Sequence, residues 1–381
     1  MKRTVLFGTG VVTLALAMTG AGAPALANQH TEHGTHLRTI TTLDGPRGID
    51  VIGRRTTLVT ESDGTFSLVR QRPGLPARVI KLGQLATDFP PAISMGRHGT
   101  VYLLTGASGP PPESRTAPSF RSARPSATTA PASTLFKWRP GWSAPKPIAD
   151  LAARAAAHPD PYDLENFAAD SNPFGLTALR DGTVLVADAA ANALLRVWPK
   201  QHKIRTVARL KPRMVRVPAG IPDGPPAGTL MPAEAVATSV TVGRDGFWYV
   251  GELRGFPATP GTSEIWRIRP GTTNAVCKPN RPHRGACKRY ADGLTSIVDL
   301  GAGARGIYAV ELSKMSWLAM EGMVPGSDIG ALILVKPRGH KHRIHEMVPN
   351  QLHMPGGVDV GRRIQVVGPI FGPGALMKVV R

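Results

Sequence analysis

The chain has 381 residues and a formal charge of +20, with 42 glycines, 36 prolines and two cysteines. That length accommodates two average domains or one large all-β domain, and a composition poor in aromatics but rich in glycine and proline favours many short strands joined by turns. So basic a protein suits anionic partners, yet the bases are scattered along the sequence and no nucleic-acid-binding motif accompanies them, so no nucleic-acid partner is expected.

Residues 1–27 read as a cleaved signal peptide. Lys2 and Arg3 form a basic start, residues 5–18 an apolar stretch, and Ala25-Leu26-Ala27 a small-x-small cleavage site. A retained anchor is the competing reading, but the stretch falls short of the roughly 20 apolar residues that span a bilayer. No later segment is long and apolar enough to cross one. The protein is therefore expected to be secreted, with cell-wall association open to it, and to carry no transmembrane anchor. Residues 28–36, with His30, His33 and His36, read as a mobile tail.

From residue 37 onward one phrase recurs. Asp181-Gly182-Thr183-Val184-Leu185-Val186-Ala187-Asp188 returns as Asp245-Gly246-Phe247-Trp248-Tyr249-Val250-Gly251-Glu252, and in altered form as Arg305-Gly306-Ile307-Tyr308-Ala309-Val310-Glu311. Each copy follows a short apolar run and precedes an alternating strand. With weaker copies admitted, units start near Gly48, Ala92, Gly175, Ser239, Ser296 and Gly357. Several end in an outer strand of alternating basic and apolar residues, as at 77–82, 204–210 and 343–348, the pattern of a strand with one face in water. Four strands per repeat predict an all-β fold, a six-bladed β-propeller over residues 37–381.

The sixth unit stops at its third strand, and residues 37–43 read as an outer strand that precedes the first inner one. The N-terminal strand is thus expected to complete the last blade. A Pro-rich insert at 109–133 reads as a mobile loop within blade two, and residues 151–157 as a short helix. Cys277 and Cys287, ten residues apart in an exported chain, are expected to form a disulfide that clips a loop. The bases between Lys200 and Arg216 form the nearest approach to a patch, with a second between Lys336 and Arg343.

Aligning the second strands sets Glu61, Asp188, Glu252 and Glu311 at one register, with Thr105 and Gly368 completing the six. Four carboxylates converging near the channel mouth could hold Ca²⁺. The alternative role is to accept hydrogen bonds from neighbouring loops, with Asn192 or Arg196 as donors to Asp188; general acid–base work is a third. No nucleophile elbow, phosphate loop or dinucleotide fingerprint is present, and only His353 among the histidines falls near the channel mouth.

Two segments exceed what a blade needs. Residues 252–263 carry Arg254 and a buried-looking Phe256, and residues 311–317 carry Lys314 and Trp317. With His353, these are the expected binding residues. Tyr249-Val250-Gly251-Glu252-Leu253-Arg254-Gly255-Phe256-Pro257, Ala291-Asp292-Gly293-Leu294-Thr295-Ser296-Ile297-Val298-Asp299-Leu300 and Val310-Glu311-Leu312-Ser313-Lys314, together with Asp170-Ser171-Asn172-Pro173-Phe174-Gly175, resemble the ScyD/ScyE family. The resemblance spans 37–381 and implies an exported six-bladed propeller of NHL-like repeats. It supplies no catalytic residues. The turn after Gly368 and the Pro-rich insert depart from the family pattern.

The expectation is thus a monomeric, non-catalytic binding or scaffold protein that uses one face of the ring for an anionic cell-wall polymer, glycan or small molecule, with no certain cofactor. The competing reading is a Ca²⁺-dependent lactonase- or lyase-like hydrolase with its site at the channel mouth. A pyrroloquinoline-type dehydrogenase requires a catalytic histidine and basic cofactor contacts that the sequence does not place.

Overall fold

A computed structural model describes residues 35–107, 130–338 and 341–381. The signal peptide, all but the end of the expected tail, and most of the Pro-rich insert lie outside the described residues. His36, the last residue assigned to the expected tail, already opens a strand.

Six sheets form the six blades. Their strands, from the innermost outward, are Ile49–Asp50, Thr56–Thr60, Thr65–Arg72 and Leu75–Gln84 in blade one, and Ala92–Met95, Val101–Leu104, Thr134–Trp138 and Lys146–Asp150 in blade two. Blade three has Pro173–Ala178, Val184–Asp188, Ala193–Trp198 and Lys203–Leu210. Blade four has Ala237–Val242, Trp248–Glu252, Ser263–Ile268 and Cys287–Leu294. Blade five has Ile297–Gly303, Gly306–Glu311, Ala331–Arg338 and Lys341–Glu346. In blade six Gly357–Val360, Ile364–Gly368 and Pro373–Val380 are completed by His36–Asp44, which pairs antiparallel with the last strand of the chain. The expected closure is therefore present, and it gives the last blade a paired outer edge.

The repeated Asp-Gly phrase makes the turn between first and second strands. Asp181 accepts the Thr183 N–H at 3.0 Å and Asp245 that of Phe247 at 3.1 Å, while Gly182 and Gly246 take the positive φ of +85° and +77°. Apolar side chains on alternate positions then bury between blades, as with Leu185, Val250 and Trp266 at the junction of blades three and four.

First strands of neighbouring blades touch around a closed ring, and a polar side chain crosses every junction. Asp50 accepts the Met95 N–H at 2.6 Å, and the Ser94 hydroxyl accepts that of Ala178 at 3.1 Å. Thr177 donates to the Val240 carbonyl at 3.0 Å and Thr238 to that of Ile297 at 2.6 Å. Asp299 accepts the Val358 N–H at 2.8 Å, and Asp359 that of Val51 at 2.6 Å, returning to blade one.

Because strands alternate in direction, the turns after first and third strands leave one end of the ring, and the connections after second and fourth strands leave the other. The elaborations gather at that second end. They comprise the Pro-rich insert site, helix α1 (Leu151–Ala157) with the stretch that follows it, a hairpin of Arg213–Arg216 with Leu230–Ala233, the 253–262 connection, and helix α2 (Trp317–Glu321). The opposite end has short turns, with one exception at 269–286. There Ala275–Cys277 runs parallel to the outer strand of blade three and adds a fifth strand to it.

Candidate functional site

The four aligned acids lie at the end of the ring that carries the long connections, and each is tied to its own surroundings. Glu61 accepts the Asp44 N–H at 2.9 Å. Asp188, fully buried, takes the Ser171 hydroxyl at 2.7 Å on one oxygen and the Asn172 N–H at 2.9 Å on the other. Glu311 accepts the Thr295 N–H at 2.8 Å. Ser171, Asn172 and Thr295 lie in the connection entering the same blade's first strand, and Asp44 ends the strand that leads into it, so in these three blades the acid fastens the incoming chain to the sheet. Asn192 and Arg196 do not serve Asp188. Asn192 donates to Asp160 and Glu234, and Arg196 to Thr183 and Asp181.

Glu252 is the exception. One of its oxygens takes the Trp266 indole N–H at 2.6 Å and the other pairs with Arg254. Arg254 is 1% exposed, sits at φ +72°, and also meets Glu264 at 3.1 Å and the carbonyls of Glu234 and Thr262. Glu264 in turn faces Arg213 at 3.5 Å and Arg289, and both arginines pair with Asp292. Three guanidinium groups thus surround two buried carboxylates. This network was invisible in the sequence, where Glu264 looks like one more solvent-facing residue of an alternating strand. It also draws Arg213 out of the basic stretch 200–216, and Arg209 turns inward to Asp160.

Burial pushes the Asp188 carboxyl up to about 6 and that of Glu311 to about 7. Glu252 is raised as well, by burial first, with Arg254 opposing the shift. Among the described residues no three His, Cys, Asp or Glu side chains gather into a group that could hold a metal ion. The four acids share a register, and the structure brings no three of them to a common centre.

The expected binding residues divide in two. Arg254 is sealed in its ion network, whereas Phe256, expected to be buried, is 36% exposed. Trp317 opens helix α2 and donates its indole N–H to the Arg254 carbonyl at 2.7 Å, linking blades four and five. Lys314 reaches Glu346 at 2.8 Å and Asn350 at 3.0 Å. His353 meets Asp328 at 2.8 Å with both side chains in solvent. Arg47 escaped notice in the sequence. It lies in the connection entering blade one, donates to the Pro90 carbonyl at 3.0 Å, and packs over the rings of Phe174 and Phe89 at 3.9 and 5.2 Å.

At the opposite end a groove of about 860 Å³ opens between blades four and five. Arg244, Lys288 and His283 line it, with Tyr249 and Tyr290 beneath.

No protein-family model matches the chain, and no curated protein matches it. Solved structures share its fold. The holo form of the pyranose dehydrogenase PQQ domain from Coprinopsis cinerea aligns over 92% of this chain and 97% of its own, with a TM-score of 0.52 at 9% identity. A putative oxidoreductase (glucose dehydrogenase) from Thermus thermophilus aligns over 91% and 100%, with a TM-score of 0.51 at 12% identity. At such identities the likeness is one of fold.

Proposed function

We propose that this protein is an exported, non-catalytic binding propeller of the ScyD/ScyE type that holds its partner against the face carrying the long connections. The observation supporting this is where large apolar side chains reach solvent. Met214, Leu230, Phe256, Met315, Met323 and Phe371 lie in connections at that end, Met323 with 86% of its surface exposed, whereas Leu75, Val79 and Ile344 are exposed singly on outer strands. Exposed apolar residues gathered on one face mark interaction surfaces, and methionine adapts its shape to a partner at little cost. The chemistry of the face fits a cell-wall component or glycan carrying apolar groups, bound with Lys314 and His353 at the rim.

The lactonase-like alternative needs carboxylates with oxygens to spare. Asp188 and Glu252 have both oxygens engaged by protein donors. A test of the proposal is calorimetry of the purified protein against solubilised wall glycans, beside the triple variant Phe256→Ser, Met315→Ser, Met323→Ser. Loss of these contacts is expected to weaken binding by about tenfold or more. Equal affinity of variant and parent would remove the proposal's support. So would turnover of a lactone by the parent that Glu311→Gln abolishes. Recovery of secreted protein starting near Asn28 checks the export step.

A further inference from the structure

The groove between blades four and five lies at the end away from the long connections, so nothing in the reading above accounts for it. Its volume of about 860 Å³ is that of a ligand site. It is lined by the first turns of both blades, the outer strand of blade four, and Pro337, His342 and Ile344 of the two outermost strands of blade five. The floor is rigid and closed. Tyr290 donates to the Val335 carbonyl at 3.3 Å across the blade junction, and its ring meets Tyr249 edge-on at 4.8 Å. Both tyrosines are buried, so neither offers a face to a ligand.

Charge distinguishes the walls. Arg267 pairs with Asp245 and Arg289 with Glu264 and Asp292, which uses up the acids of the groove. Arg244 and Lys288 are exposed and form no ion pair or side-chain hydrogen bond among the described residues. The same holds for His283 on the rim, and for Lys278, Arg281 and Arg284 in its loop. That loop is held firmly in place. Cys277 and Cys287 close its base, and Arg289 donates to the Pro279 carbonyl at 3.0 Å and to that of Pro282 at 2.6 Å. The loop backbone is thus set before an anion binds, which leaves only the side chains of its unpaired cations to be ordered.

We infer that this groove binds a linear polyanion with a carbohydrate or polyol backbone, its charges read by Arg244, Lys288 and the disulfide-closed loop. Single-stranded nucleic acid would need broad exposed aromatic faces for its bases; the groove's tyrosines are buried, no Phe or Trp lines it among the described residues, and the His342 ring packs against Tyr290 at 4.0 Å. A membrane surface would need apolar side chains beside the cations, and most of those sit at the other end of the ring. Carboxylate polymers and phosphate polymers share the chemistry that fits.

The test is fluorescence anisotropy with the full chain and labelled oligogalacturonate or oligo(glycerol phosphate), with labelled oligo-dT and anionic phosphatidylglycerol vesicles as the other arms. The variants are Arg244→Glu with Lys288→Glu, and separately Arg281→Glu with Arg284→Glu. Arg70→Glu with Arg78→Glu, on exposed strands of blade one, changes the net charge equally and leaves the groove intact. Each groove variant is expected to lose about tenfold or more in affinity for one of the two polymers and to flatten its salt dependence, while the blade-one variant stays within about twofold. Which polymer responds identifies the carboxylate or the phosphate source. Equal loss in the blade-one variant, no binding of either polymer, or tighter and groove-dependent binding of oligo-dT or vesicles would each overturn the proposal. All substituted residues are exposed, and unchanged thermal melts confirm that the variants fold. These variants leave Phe256, Met315 and Met323 untouched, so this proposal and that for the loop-bearing face fail separately.

Discussion

Cys277 and Cys287 join strands of two different blades. Cys277 ends the short strand added to blade three, and Cys287 begins the outer strand of blade four. The bridge does close a loop, as its spacing suggests, but it also staples neighbouring blades at their outer edge. The double change to serine is expected to cost about 2–3 kcal/mol for a loop of this length, read as a lowered denaturant midpoint. Both sulfurs are buried, so mild reductant should leave the native melt unchanged. Rapid reduction of the folded protein would contradict that placement.

Arg254 keeps two buried carboxylates in register. Arg254→Met is expected to destabilise the fold by about 3–5 kcal/mol, because it leaves Glu252 and Glu264 buried without their shared partner. Adding Glu252→Gln should recover part of the loss. If the double variant were as unstable as the sum of the singles, the network would not be coupled through this guanidinium.

Burial raises the carboxyls of Asp50 and Asp299 to about 7, with Asp359 adding to both shifts, and Glu311 joins them at about 7. An acid whose folded-state pKa lies above its unfolded value holds its proton more tightly in the folded protein. Its stabilising contribution is then complete below about pH 4 and is lost as pH rises toward 7. Melting temperature should therefore decline from about pH 5 to about pH 8, and Asp299→Asn should make the decline shallower. A melting curve that climbs over this interval would contradict the assignment.

The glycines of the repeated turn differ in what they avoid. A Cβ at Gly182 meets nothing within 4 Å, so Gly182→Ala pays only for its φ of +85°, about 1–2 kcal/mol. At Gly306 a Cβ would lie 2.1 Å from the Val335 carbonyl oxygen. Gly306→Ala should cost clearly more than Gly182→Ala in chemical denaturation, and equal losses would refute the distinction.

Much of the propeller was legible because a blade is written locally: an apolar run, a glycine turn, a second run, then alternation. The closing strand was legible too, since an outer strand without a blade at one end of the chain answered a blade without an outer strand at the other. Lys146–Asp150 and Cys287–Leu294 were harder to see. A proline interrupts the first, and Asp292 and Gly293 break the apolar pattern of the second, so the third strand of the same blade supplies the pairing that the segment does not announce. The acids could be aligned, but not their partners. Thr295 lies close to Glu311 only after the blade has folded, and Arg47 reaches its ring partner Phe174 across 127 residues of sequence. Phe256 looked buried beside Arg254 and Pro257, yet the arginine took the interior position because two carboxylates were there to neutralise it.

The side-chain hydrogen bonds that pass from blade to blade around the axis have no first or last member. An open array of repeats can fray from its ends and lose one unit at a time. Here every blade is an interior one, since the first is bonded to the sixth through Val51 and Asp359 and the sixth is completed by the strand that precedes the first. Losing one blade breaks two junctions at once and exposes both flanking cores. The described ring is therefore built to unfold as a single cooperative unit, and damage to one blade is felt by all six.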